Sequence, residues 1–200
     1  ELLASIAFDI TSHYDTAIFN YFNFGERKVF RQSVRKVQRL RYGENPHQAG
    51  VFYGDISAIL QQLNGKDLSY NNLVDIDAAI NLISEFNPDS VGATFAILKH
   101  TNACGVAYAK LMEDAYTKAL AADPISAFGG VLICNSKLDA ATAEELHKLF
   151  FEVILAPDYH DEALKLLKEK KNRIILKIRN SKFEIRNSNF KSLLKDRKST

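Results

Sequence analysis

This chain of 200 residues has few cysteines, a small net charge and no long apolar run. The two cysteines, Cys104 and Cys134, are too few for a disulfide framework, so we expect reduced thiols. The 26 basic and 24 acidic residues leave a formal charge of +2, which gives no overall field toward nucleic acid or a membrane surface. No apolar run is long enough to span a bilayer, and no export signal is visible. These absences favour a cytoplasmic protein.

The histidines lack the spacing that metal sites require. None of the five is paired with another at a ligand spacing, and the zinc-deaminase signature is missing because Cys104 has no second cysteine beside it. We therefore predict no metal. Cys104 could act as a nucleophile, but a thiol between Ala103 and Gly105 is more typical of packing.

The spacing of apolar residues predicts an α/β fold. Apolar residues three and four apart over residues 1–23 predict an amphipathic helix that stands alone at the start of the chain. After a basic stretch at 27–41, predicted helices alternate with short apolar strands, which indicates βαβ units and a mostly parallel sheet. The predicted strands are 49–53, 91–98, 131–134, 153–156 and 173–178. The predicted helices are 73–86, 110–121, 140–150 and 161–170.

Two segments stand apart from this pattern. The stretch 27–41 holds seven basic residues and no acidic one, which is typical of a solvated linker, although a nucleic-acid-binding module is the alternative. Near the end, the residues 178–184 are almost repeated as 185–191. Such low complexity predicts that 179–200 is a tail outside the core.

Three short segments lack helical or strand periodicity, and we expect them to be loops that form a functional site. They are LRYGENPHQ at 40–48, LKHTNACG at 98–105 and DPISAFGG at 123–130. In the second, Lys99 and His100 follow a predicted buried strand, and ligands bind beyond the carboxyl ends of parallel strands. An ammonium beside an imidazole favours the neutral ring, which can accept a proton, while the lysine stabilises negative charge. The alternative is that both residues are structural.

The other two segments offer binding groups. Arg41 can grip a phosphate or carboxylate, and Tyr42 can stack on a planar ring, although a plain surface turn explains this segment equally well. Gly129 and Gly130 allow a ligand to approach the backbone closely, or simply make a tight connection before the next strand.

Together these segments resemble the family of bifunctional purine biosynthesis proteins. That family joins aminoimidazole carboxamide ribonucleotide (AICAR) formyltransferase to inosine monophosphate (IMP) cyclohydrolase. LRYGENPHQ is close to unique to the family, and KHTNACG and DPISAFGG follow in matching order and spacing. LSYNNL at 68–73 and ILAP at 154–157 also agree, so that the resemblance covers roughly residues 1–177. Ala103 departs from the proline usual there.

The resemblance implies roles for individual residues. His100 is the implied general base and Lys99 the charge stabiliser in formyl transfer from 10-formyltetrahydrofolate to the 5-amino group of AICAR. The implied contacts with the nucleotide substrate are Arg41, Tyr42, Asn72, Gly129 and Glu152.

The resemblance also implies a fold and an organisation. It implies a cytidine-deaminase-like layered fold without zinc, and a homodimer with shared active sites. Residues 1–24 correspond to the end of the cyclohydrolase domain, 25–40 to a linker, and 41–178 to the first part of the formyltransferase domain. We therefore expect a fragment of a longer protein. A truncated nucleotide-binding remnant without catalysis is the main alternative.

Overall fold

The computed structural model describes residues 1–23 and 27–179, and it divides the chain into two compact units. The first unit contains helix α1 (Leu2–Phe22) and strands β1 (Val37–Arg39) and β2 (Val51–Tyr53), which pair antiparallel. The predicted N-terminal helix is confirmed, but none of its residues is buried. The predicted tail lies outside the described residues, except for Arg179.

The second unit carries the sheet and its covering helices, together with the loop 40–50. Its elements in chain order are α2 (Ile56–Ile59), β3 (Leu60–Asn64), α3 (Tyr70–Ile83), α4 (Pro88–Val91), β4 (Ala93–Lys99), β5 (Asn102–Ala109), α5 (Met112–Ala122), β6 (Val131–Cys134), α6 (Ala140–His147), β7 (Val153–Ala156), α7 (Asp161–Lys168) and β8 (Ile174–Ile178).

The sheet of this unit is mixed, with strand order β3-β8-β7-β6-β4-β5. The strands β6, β7 and β8 are parallel, as the alternation of strands and helices predicts. Strand β4 runs antiparallel to both β5 and β6, and β3 runs antiparallel to β8. The predicted α/β class is confirmed, and its parallel part consists of these three strands.

Two apolar clusters cover the two faces of the sheet. Alternate residues of the strands point to opposite faces, so that Phe95 and Leu132 belong to the cluster under α5, α6 and α7, whereas Leu98 and Val131 belong to the cluster under α3. Strands covered on both faces are continuous apolar runs. This double burial explains why β6 and β7 are apolar at every position.

The structure corrects two sequence-based boundaries. The segment 98–105, predicted as a loop, is mostly the β4–β5 hairpin, since only His100 and Thr101 lie between the two strands. Helix α3 ends at Ile83 rather than at Phe86, and the Asn87 side chain caps the short helix α4.

Helix α1 is 21 residues long. Neither it nor any other helix within residues 1–23 and 27–179 combines the length and apolarity needed to cross a membrane.

Candidate functional site

The ends of four neighbouring strands lie side by side along one border of the sheet. The register aligns Leu98 with Val131, Val131 with Val153, and Val153 with Ile174. Because β4 is antiparallel to β6, its carboxyl end lies beside the amino ends of β6, β7 and β8. Lys99 and His100 therefore do not follow a strand that is parallel to its neighbours, contrary to the expectation from the sequence. We call this border the site edge. It is defined by the residue that follows Leu98 in β4 and by the residues that precede Val131, Val153 and Ile174: Lys99, Gly130, Glu152 and Arg173.

His100 occupies a tight turn at the site edge. His100 and Thr101 both have positive φ angles, 50° and 65°, and they form the two-residue connection of the β4–β5 hairpin. Hairpins of this length require left-handed residues because the turn must match the twist of the strands. Histidine tolerates this region better than most residues, whereas a β-branched threonine is strained in it. The imidazole is therefore held on a short, defined turn.

The charged end of Lys99 is tethered to the segment before β6. Its Nζ donates a hydrogen bond to the carbonyl of Phe128 at 2.9 Å. The adjacent Gly129 has a φ of 74°, and its N–H donates to the carbonyl of Phe150 at 2.8 Å. A Cβ on Gly130 would lie 2.7 Å from the carbonyl oxygen of Leu98, so this glycine accommodates the backbone of β4.

Arg41 and Tyr42 are fixed beside the start of α3. The Arg41 N–H donates to the Leu68 carbonyl at 3.0 Å, and the Tyr70 N–H donates to the Tyr42 carbonyl at 3.1 Å. The guanidinium of Arg41 lies over the Tyr42 ring, 4.7 Å from its centroid, and donates to the phenol oxygen at 3.0 Å. Hydrogen bonding with Ser69 lowers the pKa of Tyr42, with a smaller contribution from Arg41.

Asn72 links the start of α3 to Glu152. Ser69 caps the helix by accepting from the Asn72 N–H, and Asn72 Oδ1 accepts from the Ser69 N–H in return. The side-chain amide then donates from Nδ2 to Glu152 Oε2 at 3.3 Å. Since Asn72 is only 4% exposed, this amide holds the Glu152 carboxylate from beneath.

Asp75, which the sequence analysis missed, connects this group to His100. Its Oδ1 accepts a hydrogen bond from the Thr101 N–H at 2.9 Å. The same carboxylate lies within electrostatic range of both His100 and Glu152. The available signal was its position one helical turn after Asn72, which places both residues on one face of α3.

The ionisation of Asp75 predicts a pH-dependent effect on stability. Burial raises its pKa, while the Thr101 N–H and His100 act in the opposite direction. A carboxyl with a raised pKa favours the folded state below its ordinary value of 3.8 and loses that contribution as the pH rises. We therefore expect Asp75→Asn to be at least as stable as the parent at pH 7. Urea unfolding at pH 7 and pH 3.5 measures the stability of the variant and of the parent. A lower free energy of unfolding for the variant at pH 7 alone would contradict this expectation.

The structure thus brings the predicted residues to one side of the second unit. Tyr42 and Glu152 interact electrostatically, as do Glu152 and Asp75, and Asp75 and His100. Arg41 adjoins Tyr42 and Asn72 adjoins Glu152, while Lys99 and Gly129 lie at the start of β6.

The surroundings of Cys104 do not activate its thiol. Burial raises the pKa of the Cys104 thiol, with a further contribution from Asp123, which disfavours the reactive thiolate. Among residues 1–23 and 27–179, no three histidine, cysteine or acidic side chains form a group that could hold a metal ion.

Comparison with known proteins identifies the family of this chain. The profile of the AICARFT/IMPCHase bienzyme family matches residues 1–199. The bifunctional purine biosynthesis protein PurH of Bacteroides thetaiotaomicron is 58% identical over 174 residues, covering 87% of this chain and 34% of that protein. PurH of Acetivibrio thermocellus is 46% identical, covering 88% of this chain and 36% of that protein.

A third relative has a comparable identity and coverage. PurH of Chloroflexus aurantiacus is 47% identical over 175 residues, covering 87% of this chain and 34% of that protein. The chain therefore spans about a third of the length of the curated relatives that it matches. The family profile, the identities and the shared segments lead to one conclusion: the chain belongs to the AICARFT/IMPCHase bienzyme family.

Proposed function

We propose that this chain is the part of an AICAR formyltransferase that binds the nucleotide and carries the proton acceptor. The observation that supports this most strongly is a set of three hydrogen bonds, Arg41 to Tyr42, Asn72 to Glu152 and the Thr101 N–H to Asp75, among residues that also influence one another electrostatically. Arg41 can bind an anion and His100 can act as a general base, and both belong to the second unit. These groups suit a substrate that has a phosphate at one end and a weakly nucleophilic amine at the other.

His100 and Lys99 perform the proposed chemistry. The 5-amino nitrogen of AICAR attacks the formyl carbon of 10-formyltetrahydrofolate, and His100 accepts the proton that the amine loses. Negative charge develops on the formyl oxygen, and the ammonium of Lys99 stabilises it. The bond between the formyl carbon and N10 of the folate then breaks, the His100 imidazolium returns its proton to that nitrogen, and tetrahydrofolate leaves while the formyl group remains on the nucleotide. Lys99 must release the Phe128 carbonyl or share its other N–H bonds with the substrate.

The remaining residues bind the nucleotide in this proposal. Arg41 holds the phosphate and Tyr42 contacts the nucleotide beside it. The Glu152 carboxylate accepts hydrogen bonds from hydroxyl groups of the ribose, and Asn72 keeps that carboxylate oriented. Gly129 leaves room for the substrate, since a Cβ there would meet only the Phe150 ring, at 3.7 Å.

Membership of the family supports further inferences about the rest of the protein. We infer a cytoplasmic homodimer with shared active sites and a cytidine-deaminase-like fold for the formyltransferase domain. Folate contacts would come from the segment that follows residue 178 in the relatives. We do not assign cyclohydrolase activity to this chain.

Arg41→Ala tests nucleotide binding directly. We expect the affinity for AICAR to fall 10- to 100-fold, about the contribution of a charge-assisted contact with a phosphate. Calorimetric titration of the chain with AICAR measures the change. Arg39→Ala is the matched control, because it removes the same charge two residues earlier from an exposed strand position, and its affinity should stay within twofold.

Different outcomes separate the proposal from its alternatives. Equal losses in Arg41→Ala and Arg39→Ala would show a general charge effect and count against a specific phosphate contact. Binding without formyl transfer, even when the chain is supplemented with the following segment of a relative, would favour the non-catalytic nucleotide-binding remnant. A steep decline in RNA affinity with salt would favour a nucleic-acid-binding module.

A further inference from the structure

Three contacts hold the turn that carries His100, and one of them comes from outside the hairpin. The His100 carbonyl accepts from the Thr101 hydroxyl at 2.6 Å and from Asn102 Nδ2 at 2.9 Å. These bonds join neighbours along the chain. The third bond, from the Thr101 N–H to Asp75 Oδ1 at 2.9 Å, anchors the turn to helix α3.

This anchor compensates for an unfavourable backbone. The left-handed region is unfavourable for a residue other than glycine, and the turn contains two such residues. Without a group that accepts the Thr101 N–H, the turn could relax, and the imidazole on the preceding residue would move with it. The Asp75 carboxylate is therefore placed to hold the turn that carries His100.

The charge of Asp75 has a second consequence. The 2.9 Å bond to the Thr101 N–H places this carboxylate next to the residue that follows His100, and both His100 and Glu152 influence it electrostatically. When His100 accepts a proton it becomes an imidazolium, and a nearby carboxylate stabilises that cation. The favourable interaction arises during proton transfer, so that it lowers the barrier rather than strengthening substrate binding.

We propose that Asp75 is a positioning residue of the formyl-transfer site, which anchors the His100–Thr101 turn through the Thr101 N–H and balances the charge that His100 acquires. The inference deepens the proposed function and rests on it for the catalytic step. The anchoring step stands on the geometry of the turn alone. The two steps therefore call for two different measurements.

Two substitutions of Asp75 and one control separate these contributions. Asp75→Asn keeps an acceptor oxygen for the Thr101 N–H but loses the charge, whereas Asp75→Ala loses both. Asp77→Asn is the matched control, because Asp77 is a half-buried aspartate of the same helix whose pKa is likewise raised by burial. Asp77 lies about 200° around α3 from Asp75, given 3.6 residues per turn.

Amide hydrogen exchange in the whole chain tests the anchor. We expect exchange at Thr101 to become at least tenfold faster in Asp75→Ala, and to stay within threefold of the parent in Asp75→Asn and Asp77→Asn. Unchanged exchange in Asp75→Ala would overturn the anchoring role. If Asp75→Ala does not fold, Asp75→Leu takes its place, because it also lacks an acceptor: exchange at Thr101 that is at least tenfold faster than in the parent supports the anchor, and unchanged exchange overturns it.

Formyl-transfer kinetics, with the chain supplemented by the following segment of a relative, test the charge. We expect Asp75→Asn to lower kcat 10- to 100-fold with KM for AICAR within twofold, and Asp77→Asn to leave both within twofold. A rise in KM with unchanged kcat in Asp75→Asn would overturn the charge role. If the supplemented parent transfers no formyl group, the proposed function fails, and the charge role fails with it, while the exchange result still decides the anchor.

Discussion

Replacing His100 with asparagine should reduce formyl transfer by 10²- to 10⁴-fold while leaving the fold intact. The loss is the usual contribution of a positioned general base. Asparagine is the informative choice because, like histidine, it tolerates the left-handed backbone that this position requires, with a φ of 50°. An alanine would add backbone strain and would confuse catalysis with stability. The measurement is the turnover of the supplemented chain, paired with its midpoint of thermal unfolding.

His160→Asn is the control for this change. His160 is exposed and lies beyond the carboxyl end of β7, at the end of the parallel strands opposite to the site edge. We expect its turnover to remain within twofold of the parent. Turnover that survives His100→Asn at the parental rate would remove His100 from the mechanism, and an equal loss in both variants would indicate a general effect of histidine removal.

Gly105→Ala should destabilise the second unit more than any other single methyl group added to its glycines. A Cβ at this position would lie 1.9 Å from the carbonyl oxygen of Ala119 and 2.8 Å from its carbonyl carbon, because β5 packs directly on the backbone of α5. Backbone on both sides cannot move without separating the strand from the helix. We expect a loss of about 3 kcal/mol or more in the free energy of unfolding, the upper end of overpacking effects.

Gly129→Ala provides the comparison. It adds the same methyl group where only the Phe150 ring lies nearby, and its cost comes from the φ of 74°. We expect about 1 kcal/mol. Urea unfolding of both variants measures the two effects. Similar losses in the two variants would contradict the close approach of β5 to α5.

The buried strands were predictable because burial on both faces makes every residue of the strand apolar. The bounds of β6 and β7 agree with the predicted apolar runs at 131–134 and 153–156. Strand β5 was not predictable in this way, since it is an edge strand rich in alanine and contains Gly105 where β-branched residues are expected. Strand β3 is likewise an edge strand, and glutamines interrupt its apolar residues.

The site was predictable as a set of residues but not as an arrangement. Lys99 and His100 attract notice from their chemistry alone, whereas Glu152 has no local pattern that separates it from a surface acid. Its place at the site edge follows from the register of β6 with β7, which depends on pairing between distant segments. Asp75 was hidden because an acidic residue in a helix ordinarily faces solvent. Its contact with Thr101 depends on how α3 lies over β4.

In the proposed complex, one nucleotide contacts both Arg41 and His100. Titration of the isotopically labelled chain with AICAR, followed by amide NMR, tests this most directly. We predict that the amide signals of Arg41 and Tyr42 and those of His100 and Thr101 shift along one common binding curve. Shifts at the first pair that leave the second pair unmoved at saturation, or two curves with different midpoints, would contradict it.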